Sequence, residues 1–131
     1  MNDASDAEAV VVVLMTAASR EEAVRIAQML VGARLAACVQ VMPEMESIYR
    51  WEGEVRRAPE VLLLAKTTVA CFAELEREVR ALHSYETPEI IALPVNTVSI
   101  PYLEWLTGSV LQRRSGQPGE RASSAGTGSA G

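Results

Sequence analysis

The segment 82–95 puts an imidazole, a phenol and two carboxylates within seven residues, as His83, Tyr85, Glu86 and Glu89, directly before an apolar run. His83 is the only histidine of the chain. An imidazole can carry a proton or ligate a metal, and it can equally close the C-terminus of a helix by bonding its last carbonyls. One histidine cannot hold a transition metal, which takes three or four donors, so the sequence alone favours the helix-end role unless an oligomer multiplies the ligands. Pro88 biases Thr87 toward an extended backbone and so fixes where the chain enters the next strand. Glu89 then stands either as a solvated carboxylate at a strand end or as a carboxylate aimed into a cleft beside Tyr85. Lys66 is the only lysine among twelve basic residues, and it ends a very apolar strand, where a compact point charge suits an anion or the Glu89 carboxylate.

The elements that must position these groups can be read from periodicity. The β-branched run Val10–Val13, continued by Leu14 and Met15, predicts a strand covered on both faces. Ser19 and Glu22 form a capping-box pattern before a helix whose apolar face is Ala23, Ile26, Ala27, Leu30 and Val31, ending near Gly32. Residues 36–42 read as a second strand closed by Pro43. Residues 44–51 alternate, Glu52-Gly53 is a turn, and Glu54-Val55 begins the return arm of a hairpin. Residues 61–65 are a buried strand, Thr68 is placed to cap a second helix, and Val69, Phe72, Leu75, Val79 and Leu82 share a helical face. Residues 90–95 form the last strand, and Pro101 opens a short third helix.

This order predicts an α+β, ferredoxin-like split βαβ sandwich with an extended β-hairpin. Right-handed crossovers put both long helices on one face of the sheet. The strands are nevertheless apolar on both sides, so a second subunit is expected to cover the other face.

The boundaries expected are a flexible N-terminus at 1–9, one domain at 10–110 and a disordered tail at 111–131. Twelve of the last 17 residues are Gly, Ser or Ala. A chain of 131 residues, 49% hydrophobic with a net charge of -5, has enough apolar content for one core and lacks the basic stripe of a nucleic-acid binder. Cys38 and Cys71 sit in apolar patterns with no finger spacing and read as buried free thiols. The run Ala9–Met15 is too short for a signal-peptide core or a membrane span, which predicts a soluble cytoplasmic protein. No nucleophile motif, phosphate-binding glycine loop or dinucleotide fingerprint occurs, and the only aspartates are Asp3 and Asp6, so no enzyme is expected. Tyr49, Trp51, Tyr102 and Trp105 are read as aromatics packed at a core edge or interface.

Taken in order, Leu35-Ala36-Ala37-Cys38-Val39, Ser47-Ile48-Tyr49-Arg50-Trp51-Glu52-Gly53, Leu64-Ala65-Lys66-Thr67, His83-Ser84-Tyr85-Glu86-Thr87-Pro88-Glu89-Ile90, Leu93-Pro94-Val95 and Tyr102-Leu103-Glu104-Trp105-Leu106 resemble the CutA divalent-cation tolerance family over residues 10–110. The resemblance implies a tight homotrimer of ferredoxin-like subunits, similar in design to the PII signalling proteins, with hairpins pairing across subunits. It also implies a role in copper and divalent-cation tolerance without catalysis and without a required cofactor. By motif position, Trp51, Lys66, His83, Tyr85 and Glu89 match the family's inter-subunit cleft residues. Some family members carry a cysteine where this chain has Met15 and a His-His pair where it has Leu82-His83. A thioether suits Cu(I) but binds Zn poorly, so the implied metal site, His83 with Met15 or Glu89, is a weak copper site at most. The alternative is a PII-like trimeric sensor or adaptor taking a small anionic ligand through Lys66 and Tyr85. Neither reading involves nucleic acid or a membrane.

Overall fold

The computed structural model describes residues 7–112. The segments 1–6 and 113–131, which hold most of the expected N-terminal extension and tail, lie outside the described residues. The elements run β1 (Val10–Ala17), α1 (Arg20–Gly32), β2 (Cys38–Trp51), β3 (Glu54–Thr68), α2 (Val69–Leu82), β4 (Ile90–Pro94) and α3 (Ile100–Ser109). The four strands form one antiparallel sheet in the order β2-β3-β1-β4, which is the expected split βαβ arrangement.

Ser19 starts α1 as the sequence predicts, its hydroxyl accepting the Glu22 N–H at 3.1 Å. Glu22 reaches back one residue further than a capping box requires and accepts the Ala18 N–H at 3.0 Å. Thr68 is the N-cap of α2, but its side chain makes no capping bond. Gly32 does not provide the left-handed turn after α1. Arg34 does, at φ 61°, a conformation that costs a non-glycine residue about 1 kcal/mol. The Arg34 guanidinium offsets this by donating to the carbonyls of Gly108 at 3.0 Å and Ser109 at 3.3 Å, the C-terminal end of α3. The Arg34 carbonyl in turn accepts the Leu111 N–H. The chain therefore stays docked beyond residue 110, with Leu111 packed against the core. At the other end, Ala7 is buried and the Ala9 carbonyl accepts the Val69 N–H, so the described part of 1–9 is tied to the domain.

The hairpin is longer than its sequence signals. Pro43 does not close β2. It sits in a register shift between Val41 and Glu44, where a residue without an N–H is tolerated. Pro59 lies in the part of β3 beyond its pairing with β1, which ends at Val61, so there β3 has only β2 as a partner. Glu52 (φ 51°) and Gly53 (φ 80°) make the two-residue turn, matching the positive φ at both positions that a type I′ turn needs.

The core lies between the helices and one face of the sheet. Val11, Val13 and Met15 of β1 and Val61, Leu63 and Ala65 of β3 meet Ala23, Ile26 and Leu30 of α1 and Leu75 and Val79 of α2. Each fully buried leucine contributes about 1.5–3 kcal/mol. The buried stripe of α2 is Cys71, Leu75 and Val79, while Val69 and Leu82 are exposed. Half-buried Phe72 also packs against the core, so the expected three- and four-residue spacing holds through Phe72, Leu75 and Val79 and fails only at the helix ends. Strand alternation turns Val12 and Leu14 of β1, Leu62 and Leu64 of β3, and Ile91 and Leu93 of β4 to the opposite face. That face is apolar and uncovered, with Ile91 48% and Leu93 44% exposed.

Arg34→Ala removes the cap on α3 and keeps a residue in left-handed backbone. We expect a loss of about 1–2 kcal/mol in urea unfolding and faster amide exchange in α3 than in α1.

Candidate functional site

The loop 83–89 is held by a buried polar network. The His83 side chain is fully buried and the Glu22 carboxylate nearly so. The Tyr85 backbone N–H can only donate, so His83 Nδ1, 3.0 Å away, accepts from it. The ring proton is therefore on Nε2, which donates to the Thr16 carbonyl at 2.7 Å. The imidazole is thus neutral with both nitrogens used, and it locks the loop to the end of β1. It does not bond the last carbonyls of α2. Its backbone N–H does, reaching Val79.

Glu22 completes the lock. It accepts the Ser84 N–H at 2.6 Å and the Ser84 hydroxyl at 3.1 Å, in addition to Ala18. Burial alone would raise its carboxyl, but the Ser84 and Ala18 N–H groups and the Ser84 hydroxyl outweigh burial and hold it below the usual carboxylate range.

Beside this network lies a cleft of about 630 Å³ between the hairpin and the loop. The hairpin contributes Tyr49, Trp51, Arg56 and Glu60, the loop contributes Tyr85, Glu86 and Glu89, and the end of β1 contributes Thr16. Tyr85 donates its hydroxyl to Glu60 at 2.9 Å, and its ring lies 4.8 Å from that of His83. Burial first, then the Glu60 carboxylate, push the Tyr85 phenol up to about 12, so it remains a neutral donor. Arg56 is drawn toward the hairpin turn, with Glu52 at 3.5 Å and Glu54 at 3.8 Å. Glu86 and Glu89 have no hydrogen-bond or ion-pair partner among the described residues.

Of the residues singled out from sequence, Trp51, Tyr85 and Glu89 come together in this cleft. Lys66 is not among its lining residues. It lies in register with Cys38 and Val12 on the uncovered sheet face, and its ammonium bonds Gln40. Met15 is fully buried in the core and His83 is engaged at both ring nitrogens, so within one chain neither presents a free donor to an ion. Among the described residues no group of three or more His, Cys, Asp or Glu is placed to hold a metal. Glu60, Arg56 and Glu22 are additions. Glu60 precedes the buried Val61, so a carboxylate at the mouth of an apolar strand was the available signal. Glu22 was visible only as a capping residue.

The depressed Glu22 carboxyl contributes stability that is present above its unfolded value and lost as pH falls through its folded one. Glu22→Gln places an amide donor against the Ser84 and Ala18 donors. We expect a loss of roughly 2 kcal/mol at neutral pH, shrinking at acidic pH, measured by urea unfolding at the two pH values.

The family model for the CutA1 divalent ion tolerance protein matches residues 11–109. The "Divalent-cation tolerance protein CutA" of Thermus thermophilus is 53% identical over 95 residues, 72% of this chain and 92% of that protein. "Protein CutA, chloroplastic" of Arabidopsis thaliana is 41% identical over 109 residues, 83% of this chain and 60% of that longer protein. The solved structure of the divalent cation tolerance protein of Thermus thermophilus superposes with a TM-score of 0.76 at 50% identity, covering 77% of this chain and 98% of that one. With the split βαβ sheet, the long hairpin and a match spanning nearly all the described residues, the chain belongs to the CutA1 divalent ion tolerance protein family.

Proposed function

We propose that the protein works as a cytoplasmic homotrimer in divalent-cation tolerance, without catalysis, and binds cations weakly at acidic clefts on its subunit boundaries. The observation that carries this is the cleft itself: three carboxylates, Glu60, Glu86 and Glu89, line it with a single guanidinium, Arg56, already drawn to Glu52 and Glu54. The role in tolerance rests on kinship with proteins of that name. The trimer is supported by the uncovered apolar sheet face, whose burial is worth about 25 cal/mol per Å² removed from water. No helix among the described residues is long and apolar enough to cross a membrane, and the free thiols Cys38 and Cys71 suit a reducing compartment.

In this reading copper binds at Glu86 and Glu89 and not at His83 or Met15, because those two donors are already committed to the fold. One subunit offers too few donors for a closed coordination sphere, so affinity is low and a second subunit completes the site. A small anionic ligand is disfavoured by the same carboxylates and by the position of Lys66 away from the cleft.

Calorimetric titration with copper is expected to show weak, saturable binding that persists in His83→Ala and is abolished in the Glu86→Gln, Glu89→Gln double variant. Absence of binding at millimolar copper would refute this function. So would binding lost in a folded His83→Ala protein and kept in the double variant.

A further inference from the structure

We propose that the preferred occupant of the cleft is an organic ammonium cation, with a flexible polyamine as the best-fitting class. This rests on reading the cleft as a cation site and names the kind of cation. Three features of the cleft point the same way. First, its volume of about 630 Å³ far exceeds what a single metal ion fills and lies within the range of small-molecule sites. Second, its walls include three aromatic side chains, Tyr49, Trp51 and Tyr85. Aromatic carbon gives a divalent metal no ligand, since such ions take several oxygens at short range. The same rings attract an ammonium group through their quadrupoles and pack against the methylenes beside it. Within one chain Trp51 is 48% and Tyr49 41% exposed, so neither ring is spent on the core of its own subunit.

Third, the charges are spread out. Glu60, Glu86 and Glu89 line one cleft, yet they do not form a three-donor metal group. Separated carboxylates suit a chain bearing several separated ammonium groups. Glu60 is already oriented by the Tyr85 hydroxyl and keeps its second oxygen for a ligand. Glu86 and Glu89 have no protein partner to displace among the described residues. Arg56, the one cation in the lining, is drawn away by Glu52 and Glu54 and so opposes an ammonium less than its formal charge suggests.

Spermidine serves as the probe, titrated into the full-length protein by calorimetry at about 0.15 M salt, where long-range attraction to an acidic surface is screened. Saturable binding is expected, with affinity reduced about tenfold in Trp51→Leu, which keeps apolar bulk without the aromatic face. A similar loss is expected in Glu86→Gln with Glu89→Gln, and equimolar magnesium should not displace the polyamine. Light scattering confirms that each variant keeps the parent assembly, and Trp51→Phe, which restores an aromatic face, is expected to recover most of the affinity. No saturable binding at millimolar spermidine overturns the proposal, as does binding that Trp51→Leu leaves unchanged or that magnesium removes. If copper binds as described above and spermidine does not, only this proposal falls. If neither binds, the cation-site reading falls with it.

Discussion

A sheet with both long helices on one of its faces is the constraint from which the other features follow. The split βαβ order sends both long helices to the Val11, Val13, Met15 side. The opposite side keeps Val12, Leu14, Leu62, Leu64, Ile91 and Leu93, too apolar for a solvated surface. The third helix lies against β3, and its Tyr102 phenol is raised by burial and then by nearby Cys38, which places its first turn at the Cys38 end of that sheet. A single chain of this topology has nothing else among its described residues to cover the rest.

The same topology explains why the cleft lies where it does. β2 and β3 run on past the end of β1, so the hairpin stands clear of the core and exposes Tyr49 and Trp51, with Glu60 half-buried nearer its base. The loop after α2 must come back to enter β4, and it meets the base of that hairpin. His83 and Glu22 hold the loop there through Thr16, Ser84 and Tyr85. In this chain the lone histidine thus has a positioning role, and the carboxylates it helps to place face solvent.

Much of this was legible in the residues. The β-branched run at Val10, the Ser19 cap, the Glu52-Gly53 turn and the stripe through Leu75 and Val79 each carry a local physical signal, and each element formed where that signal stands. Tyr85 and Glu89 could be singled out because they cluster around a proline at a strand entrance. What local signals could not give was tertiary choice. Pro43 looks like a strand end until its register shift is known. Arg34, not Gly32, takes the left-handed turn because its guanidinium finds the end of α3, 74 residues away. Lys66 looks like a partner for Glu89, but it stands six residues beyond Glu60 on the same face of β3, outside the cleft lining. His83 looks available until both ring nitrogens are accounted for.

The most direct test of the one-sided sheet is the mass of the protein in solution, by light scattering across a dilution series. The account predicts a species of three times the 14.2 kDa chain mass that persists on dilution, and that gives way to smaller species when Leu64 and Ile91 are both replaced by aspartate. A stable, folded species of one chain mass at every concentration would contradict it.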